Sequence, residues 1–302
     1  MSRTHTSIKG LKAGDVIGAI DLGSSKVACL IARLGSDGVP RIMGFGHQVS
    51  QGVRGGVIVD LEKVERDIRQ TVATAEQMAG ETIRDCIVGI SGGLHSRLLS
   101  FDLDIAGHEI ADRDLARVER HPVLAQAITP DQALLHRLVV AYRIDGCRSV
   151  KDPRGMFGER LTVNMHLLTV ADGALRTLDT AVERSHLSPV LHVAQPHAAA
   201  LGALTPDEIQ LGVTVIDMGA ETTSLALFLD GELVHADVLG LGGGHVTRDI
   251  AQGLNTPLDH AERMKTLWGS VIKAESDNRE ILRVPQIGSE VSGEPEVEMP
   301  RS

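Results

Sequence analysis

The chain has 302 residues, with 40 acidic side chains against 30 basic ones and a formal net charge of −10. With one Trp, one Tyr and four Phe, it lacks both the positive field and the stacking platforms of a nucleic-acid binder, so nucleic acid is excluded as a partner. Its length is enough for two subdomains around a sizeable core.

In chain order, residues 1–15 form a polar N-terminal tail that carries Lys9 and Lys12 but no apolar stretch resembling a signal peptide. The first patterned segment is Ile20-Asp21-Leu22-Gly23-Ser24-Ser25-Lys26-Val27-Ala28-Cys29-Leu30. It reads as a strand ending in Asp, a glycine turn with hydroxylic neighbours, and a second alternating strand. Ser36-Asp37-Gly38 is a hairpin turn leading to a third strand over Arg41 to Val49. Gly52 to Asp60 follows, and from Asp60 the pattern becomes helical: Leu61, Val64, Ile68, Val72 and Ala75 share one face, with Asp60 as N-cap and Gly80 as stop.

Ile83 to Gly92 reads as strand. The chain then holds strand-like Leu98 to Ile105, helix-like Asp112 to Gln126, strand-like Leu138 to Ile144, a loop from Asp145 to Glu159, and a strand over Leu161 to Val170. This β-α-β-β segment is expected to be an inserted subdomain over 84–168, with Lys151 to Gly158 at its tip. The Pro and glycines there suffice for a turn, while Met156-Phe157 leaves contact with a neighbour as the alternative. A helix over Ala171 to Ser185, a strand over Val190 to Val193 and a Pro-started helix at Gln195-Pro196-His197-Ala198-Ala199-Ala200-Leu201-Gly202 come next; the small-residue face of the last allows close helix approach.

A second meander runs from Val213 to about Leu241 and repeats the first phrase as Ile216-Asp217-Met218-Gly219-Ala220-Glu221-Thr222-Thr223-Ser224-Leu225-Ala226, with Asp230-Gly231 as its hairpin turn. Singly, such a turn fits an ordinary hairpin; twice, it implies two related half-molecules closing on one nucleotide. A glycine turn lets backbone approach a phosphate, and the hydroxyls of Ser24, Ser25, Thr222 and Thr223 can donate to it. Lys26 can neutralise phosphate charge, and Asp21 and Asp217 can hold a hydrated Mg2+ through its waters. Gly242-Gly243-Gly244 opens a helix through Val246, Ile250 and Leu254, and is either a plain glycine loop or a turn whose N–H groups meet an anion. In the helix expected over Pro257 to Lys273, Glu262 and Lys265 sit at i, i+3 as an ion pair. Residues 284–302 read as a loop or disordered tail.

Cys29, Cys86 and Cys147 are odd in number and form no C-x-x-C pair, a usage that favours the cytosol. Cys29 and Cys86 lie in apolar strand-like runs as small core hydrophobes. The thirteen histidines show no metal-ligating spacing and read as surface and core fillers. No apolar run approaches the ~20 residues of a membrane-spanning helix.

Taken in this order, the two phrases, the Pro-started helix, the Gly-Gly-Gly turn and the Glu262/Lys265 pair resemble the actin, Hsp70 and sugar-kinase ATPase superfamily. Gly52 to Leu61, Lys151-Asp152-Pro153-Arg154-Gly155, Gly158-Glu159-Arg160-Leu161 and Val163 to Thr169 narrow the resemblance to the bacterial cell-division protein FtsA family.

The resemblance implies an α/β, actin-like (ribonuclease H-like) ATPase fold. Its first half (1A) would cover 16–83 and 169–204, a 1C-type α+β insert 84–168, and an incomplete second half (2A/2B) 205–283. It implies ATP and Mg2+ as ligands. Asp21, Gly23, Ser24, Ser25 and Lys26 would form phosphate 1, and Asp217, Gly219, Thr222 and Thr223 phosphate 2. Gly242, Gly243 and Gly244 would sit near the nucleotide, Glu262 and Lys265 at its ribose and adenine, and Gln195 beside a water. It further implies an adaptor with weak or no ATPase activity that self-associates through the insert and neighbouring subdomains. Such an adaptor binds FtsZ and other division proteins, and ties the ring to the cytoplasmic face of the inner membrane. A pilus-assembly ATPase and a small-molecule kinase of the same superfamily are the alternatives.

Three departures are expected to matter. Ala220-Glu221 replace the usual glycines of phosphate 2, and a carboxylate facing inward there would weaken ATP binding. A second adenosine motif and a C-terminal amphipathic helix are not found, so a C-terminally shortened member, with an unpaired edge on its second sheet, is the expectation.

Overall fold

Strands β1 (Val16–Leu22), β2 (Lys26–Leu34) and β3 (Pro40–Val49) form an antiparallel meander that turns Ile20, Leu22, Val27, Cys29 and Ile31 into the core. The structure is a computed structural model in which residues 12–147, 149–287 and 297–301 are described. The tail expected at 1–15 therefore lies outside the described residues as far as residue 11, as do 288–296 and 302 of the expected C-terminal tail. The chain divides into two units, one ending at Gly240 and one beginning at Leu241.

After a two-rung hairpin, β4 (Val53–Arg54) and β5 (Val57–Ile58), the helix α1 (Leu61–Ala79) begins where the sequence places it. The Asp60 carboxylate accepts from the Lys63 N–H at 3.2 Å, and Gly80 closes the helix at φ 68°, a left-handed value that glycine adopts without strain. Val64, Ile68, Val72 and Ala75 are buried against the meander. Gly44 and Gly46 on β3 make that contact close, since a Cβ at either would run into the α1 backbone at Ala75 or Thr71. β6 (Asp85–Ile90) then lies parallel to β1, which brings Cys86 opposite Gly18.

The insert is a three-stranded antiparallel sheet, β7 (Leu94–Asp104), β8 (Gln132–Ile144) and β9 (Arg160–Ala171), in the order β7-β9-β8. Two helices pack on it, α2 (Asp112–Glu119) and α3 (Pro122–Ala127), around a core of Phe101, Ile105, Ile110, Leu161, Val163 and Met165. The single helix expected over Asp112 to Gln126 is thus two. Pro122 cannot continue α2, and it starts α3 as its first residue. At the tip, Arg154 is held by Asp152 at 2.7 Å and Asp112 at 3.3 Å, while Met156 and Phe157 remain exposed.

Helix α4 (Asp172–Arg184) leads into β10 (Ser188–Ala194), parallel to β6, and completes the sheet β10-β6-β1-β2-β3. Next come α5 (Gln195–Ala203) and a short α6 (Pro206–Leu211) that the periodicity misses, although Thr205 and Glu208 cap it reciprocally. The second meander is β11 (Val213–Met218), β12 (Thr223–Leu229) and β13 (Glu232–Leu239). Asp230 and Gly231 form its two-residue turn with φ of 53° and 93°, the conformation that a tight hairpin needs. Ala226, Phe228, Leu233 and Ala236 join the core of the first sheet, whereas β11 is an edge strand with Ile216 and Met218 exposed.

Buried histidines join the insert to its neighbours, His166 to the second meander and His136 to β10 and α5. His166 on β9 is fully buried, with Nε2 2.7 Å from Ser96 Oγ and Nδ1 3.0 Å from the Leu233 carbonyl. His136 on β8 accepts at Nε2 from the Ala194 N–H at 2.9 Å and meets His197 edge-on.

In the second unit, α7 (Gly243–Leu254) packs on α8 (Leu258–Trp268). The helix expected to reach Lys273 ends five residues earlier, with Gly269 as its C-cap. Within the stretch read as loop or disorder from 284 onward, 297–300 instead form a strand. β14 (Ile281–Val284) pairs antiparallel with β15 (Val297–Pro300), and Leu282 and Val284 pack against Met264.

Candidate functional site: two matching glycine turns

The two repeated phrases fold alike to the level of single hydrogen bonds. In the first, the Gly23 N–H donates to the Lys26 carbonyl at 3.0 Å; in the second, the Gly219 N–H donates to the Thr222 carbonyl at 2.8 Å. The flanking registers agree: Leu22 pairs with Val27 and Met218 with Thr223. A Cβ on either glycine would press on the same carbonyl, at 2.9 and 3.0 Å, so both turns require a bare Cα. The likeness extends along the strands, since each meander has a register shift at the matching point, Ile31/Ala32 in one and Leu227/Phe228 in the other.

The turns set Asp21 and Asp217 at equivalent ends of β1 and β11. Burial raises the Asp21 carboxyl above its ordinary value, the charge of Asp217 raises it further, and Lys26 pulls it back. The Asp217 charge at the second turn therefore acts on Asp21 at the first. Asp21 is also oriented from α5, where the Gln195 side-chain amide donates to Oδ1 at 2.8 Å. The structure thus brings Asp21, Lys26, Gln195 and Asp217 within electrostatic or hydrogen-bonding reach. Ser24 turns toward the β4–β5 hairpin, its Oγ accepting from the Gly56 N–H at 3.4 Å. Ser25 is exposed and uses its carbonyl to hold the Ser50 N–H at 3.0 Å. Thr222 and Thr223 are half-buried.

Glu221 falls where the first turn has Ser25. Its side chain is 16% exposed and faces the same hairpin, accepting from the Gly55 N–H at 2.8 Å with Arg54 at 3.9 Å. Sequence reasoning leaves its direction open, and it misses Arg54, Gly55 and Gly56 as its partners.

The remaining expected residues belong to the second unit. There Lys265 Nζ donates to Glu262 at 2.6 Å, to Thr247 at 2.9 Å and to the Gly243 carbonyl at 3.1 Å. The Thr247 hydroxyl also bonds Glu262. The Lys265 and Thr247 bonds hold the Glu262 carboxyl below its ordinary value. Gly242 donates its N–H to His245 Nδ1 at 3.1 Å, so this amide of the glycine turn already has a partner. Thr247 is the member of this cluster that sequence reasoning missed; it lies one helical turn after Gly243.

A duplicated Asp-x-Gly turn at the ends of two related sheets, with a helix delivering a glutamine to one Asp, defines an actin-like fold. Solved structures agree. The chain matches the PilM-PilN type IV pilus biogenesis complex at TM-score 0.63 and 18% identity, over 84% of this chain and 70% of that one. It matches MreB5 of Spiroplasma citri at TM-score 0.54 and 15% identity, over 96% and 73%.

Sequence comparison narrows the class. The family model described as "Cell division protein FtsA" matches residues 214–300, and that described as "SHS2 domain inserted in FTSA" matches 92–169. The cell division protein FtsA of Rhizobium meliloti (strain 1021) is 42% identical over 94% of this chain and 66% of its own length. That of Pseudomonas aeruginosa is 34% identical over 92% and 67%. The chain belongs to the FtsA family of cell-division proteins. It spans 66% of the length of the first relatives it matches.

Proposed function

We propose that the protein binds ATP with Mg2+ at the two matching turns and uses the nucleotide to control self-association as an adaptor of the division ring. The observation that carries this reading is the pair of identical turn bonds, Gly23 to Lys26 and Gly219 to Thr222, with Asp21 and Asp217 in electrostatic contact. Gly23, Ser24, Ser25 and Lys26 on one side and Gly219, Thr222 and Thr223 on the other are the phosphate contacts. A divalent cation fits the acidic pair, because it would offset the burial and the Asp217 charge that together raise Asp21, and Mg2+ held through its waters needs no closer approach of protein oxygens. When bound, the cation would supply charge neutralisation for the phosphates. Gln195, fixed through its amide nitrogen on Asp21, keeps its carbonyl oxygen for a water. In the second unit, Glu262 and Lys265 beside Gly242, Gly243 and Gly244 are the candidates for ribose and adenine contacts. The actin-like neighbour MreB5 of Spiroplasma citri, solved bound to ADP and to AMPPNP, supports nucleotide binding as the use of this fold.

On the family's pattern the partners are FtsZ, further copies of the chain meeting through the insert, and other division proteins. Membrane contact would run through a C-terminal amphipathic helix at the cytoplasmic face of the inner membrane. No helix among the described residues is long and apolar enough to cross a membrane. Co-sedimentation with FtsZ filaments tests the adaptor role. The protein is expected in the pellet with intact FtsZ and in the supernatant when the FtsZ C-terminal tail is removed; equal pelleting with both would contradict the reading.

A further inference from the structure

The Glu221 side chain crosses from the second glycine turn to the β4–β5 hairpin of the first half, a span of 166 positions in sequence. What it meets there is a small anion cradle. Gly55 and Gly56 both have left-handed φ, 55° and 77°, and present consecutive N–H groups to the same side as the two turns. The Gly55 N–H takes the Glu221 carboxylate at 2.8 Å and the Gly56 N–H takes Ser24 Oγ at 3.4 Å. A residue of each glycine turn is therefore tied to one hairpin. Arg54 adds little, since its guanidinium is 72% exposed and 3.9 Å away. Beside the hairpin, Val53, Val57, Ser91, Gly92 and Leu178 line a cavity of about 190 Å3.

Building on the nucleotide reading above, we propose that Glu221 is an internal anion that latches the two turns together without nucleotide and competes with the terminal phosphate of a nucleoside triphosphate. A carboxylate at the second turn repels the third phosphate more than the second, because the repulsion falls with distance. It also occupies the Gly55 amide, while the neighbouring Gly56 amide is taken by Ser24. Glu221 would then set the preference between triphosphate and diphosphate.

The test uses the wild-type protein with Glu221→Gly and Glu221→Gln, the latter keeping the side-chain shape. Mg-ATP and Mg-ADP affinities are measured by calorimetry, and amide exchange over 53–58 is measured without ligand. In both variants the ATP-to-ADP affinity ratio is expected to rise about tenfold, equivalent to about 1.4 kcal/mol. Exchange at Gly55 is expected to accelerate in Glu221→Gly. Binding of both nucleotides with an unchanged ratio in all three proteins would overturn the proposal while leaving the nucleotide reading intact. If none of the three proteins binds either nucleotide, the nucleotide reading fails and takes this competition with it.

Discussion

Acid should loosen the packing of the insert, because His166, at its joint with the second meander, and His136, at its joint with β10 and α5, are both buried in the neutral form. His136 and His166 are 5% and 0% exposed, and burial pushes both from 6.5 down to about 4. For His136 the neighbouring His197 and His166 push the same way; for His166 the Leu233 carbonyl opposes the shift while His235 and His197 add to it. A histidine whose folded value is depressed contributes stability that is complete above about pH 6.5 and is lost as pH falls toward about 4, since the unfolded chain takes up the proton first. With those values, falling from about pH 7.5 to about pH 5 removes roughly 2 kcal/mol per histidine, a large part of a typical margin of ~5–15 kcal/mol. The hydrogen bonds point the same way, since the Ala194 N–H donates to His136 Nε2 and a protonated ring could not accept it. Urea unfolding of wild type, His136→Gln and His166→Gln across this pH range measures the effect. Each variant should flatten the decline by roughly 2 kcal/mol, and a slope identical to that of wild type would refute the buried neutral state.

Two further outcomes follow from packing. Gly46→Val should destabilise the protein by roughly 1–3 kcal/mol in urea unfolding, because its side chain would be driven into the α1 backbone, whereas Gly253→Ala, with nothing near the new Cβ, should be neutral or stabilising. Native protein at neutral pH should react with Ellman's reagent at Cys147 alone, because Cys29 and Cys86 are fully buried with thiols pushed up to about 12. Rapid labelling of Cys86 would contradict its place on the central sheet.

What was legible in the sequence was local. Asp60, the Leu61-to-Ala75 spacing and Gly80 specify α1 and both of its ends within one continuous segment, and the structure places the caps where those residues stand. The glycine turns were legible twice over, because the bond between Gly23 and Lys26 depends on one short segment and its copy confirms the pattern. Pro122 was equally visible, but the apolar spacing across 112–126 runs through it, and proline geometry prevails over periodicity. β14 and β15 escaped because each has four residues and its partner lies beyond a long connection, so neither shows a periodicity of its own. The direction of Glu221 depends on a hairpin far away in sequence. Likewise His166, a filler by pattern, proves to bridge Ser96 and Leu233, 70 and 67 positions away.

The central claim is that Asp21 and Asp217 are the matched acidic ends of one nucleotide site. Calorimetric titration of Mg-ATP into wild type, Asp21→Ala and Asp217→Ala tests it most directly. The account predicts saturable binding to wild type, weakened about tenfold or more in each variant, a loss of about 1.4 kcal/mol. Equal affinity in all three proteins, or no binding to wild type, would contradict it.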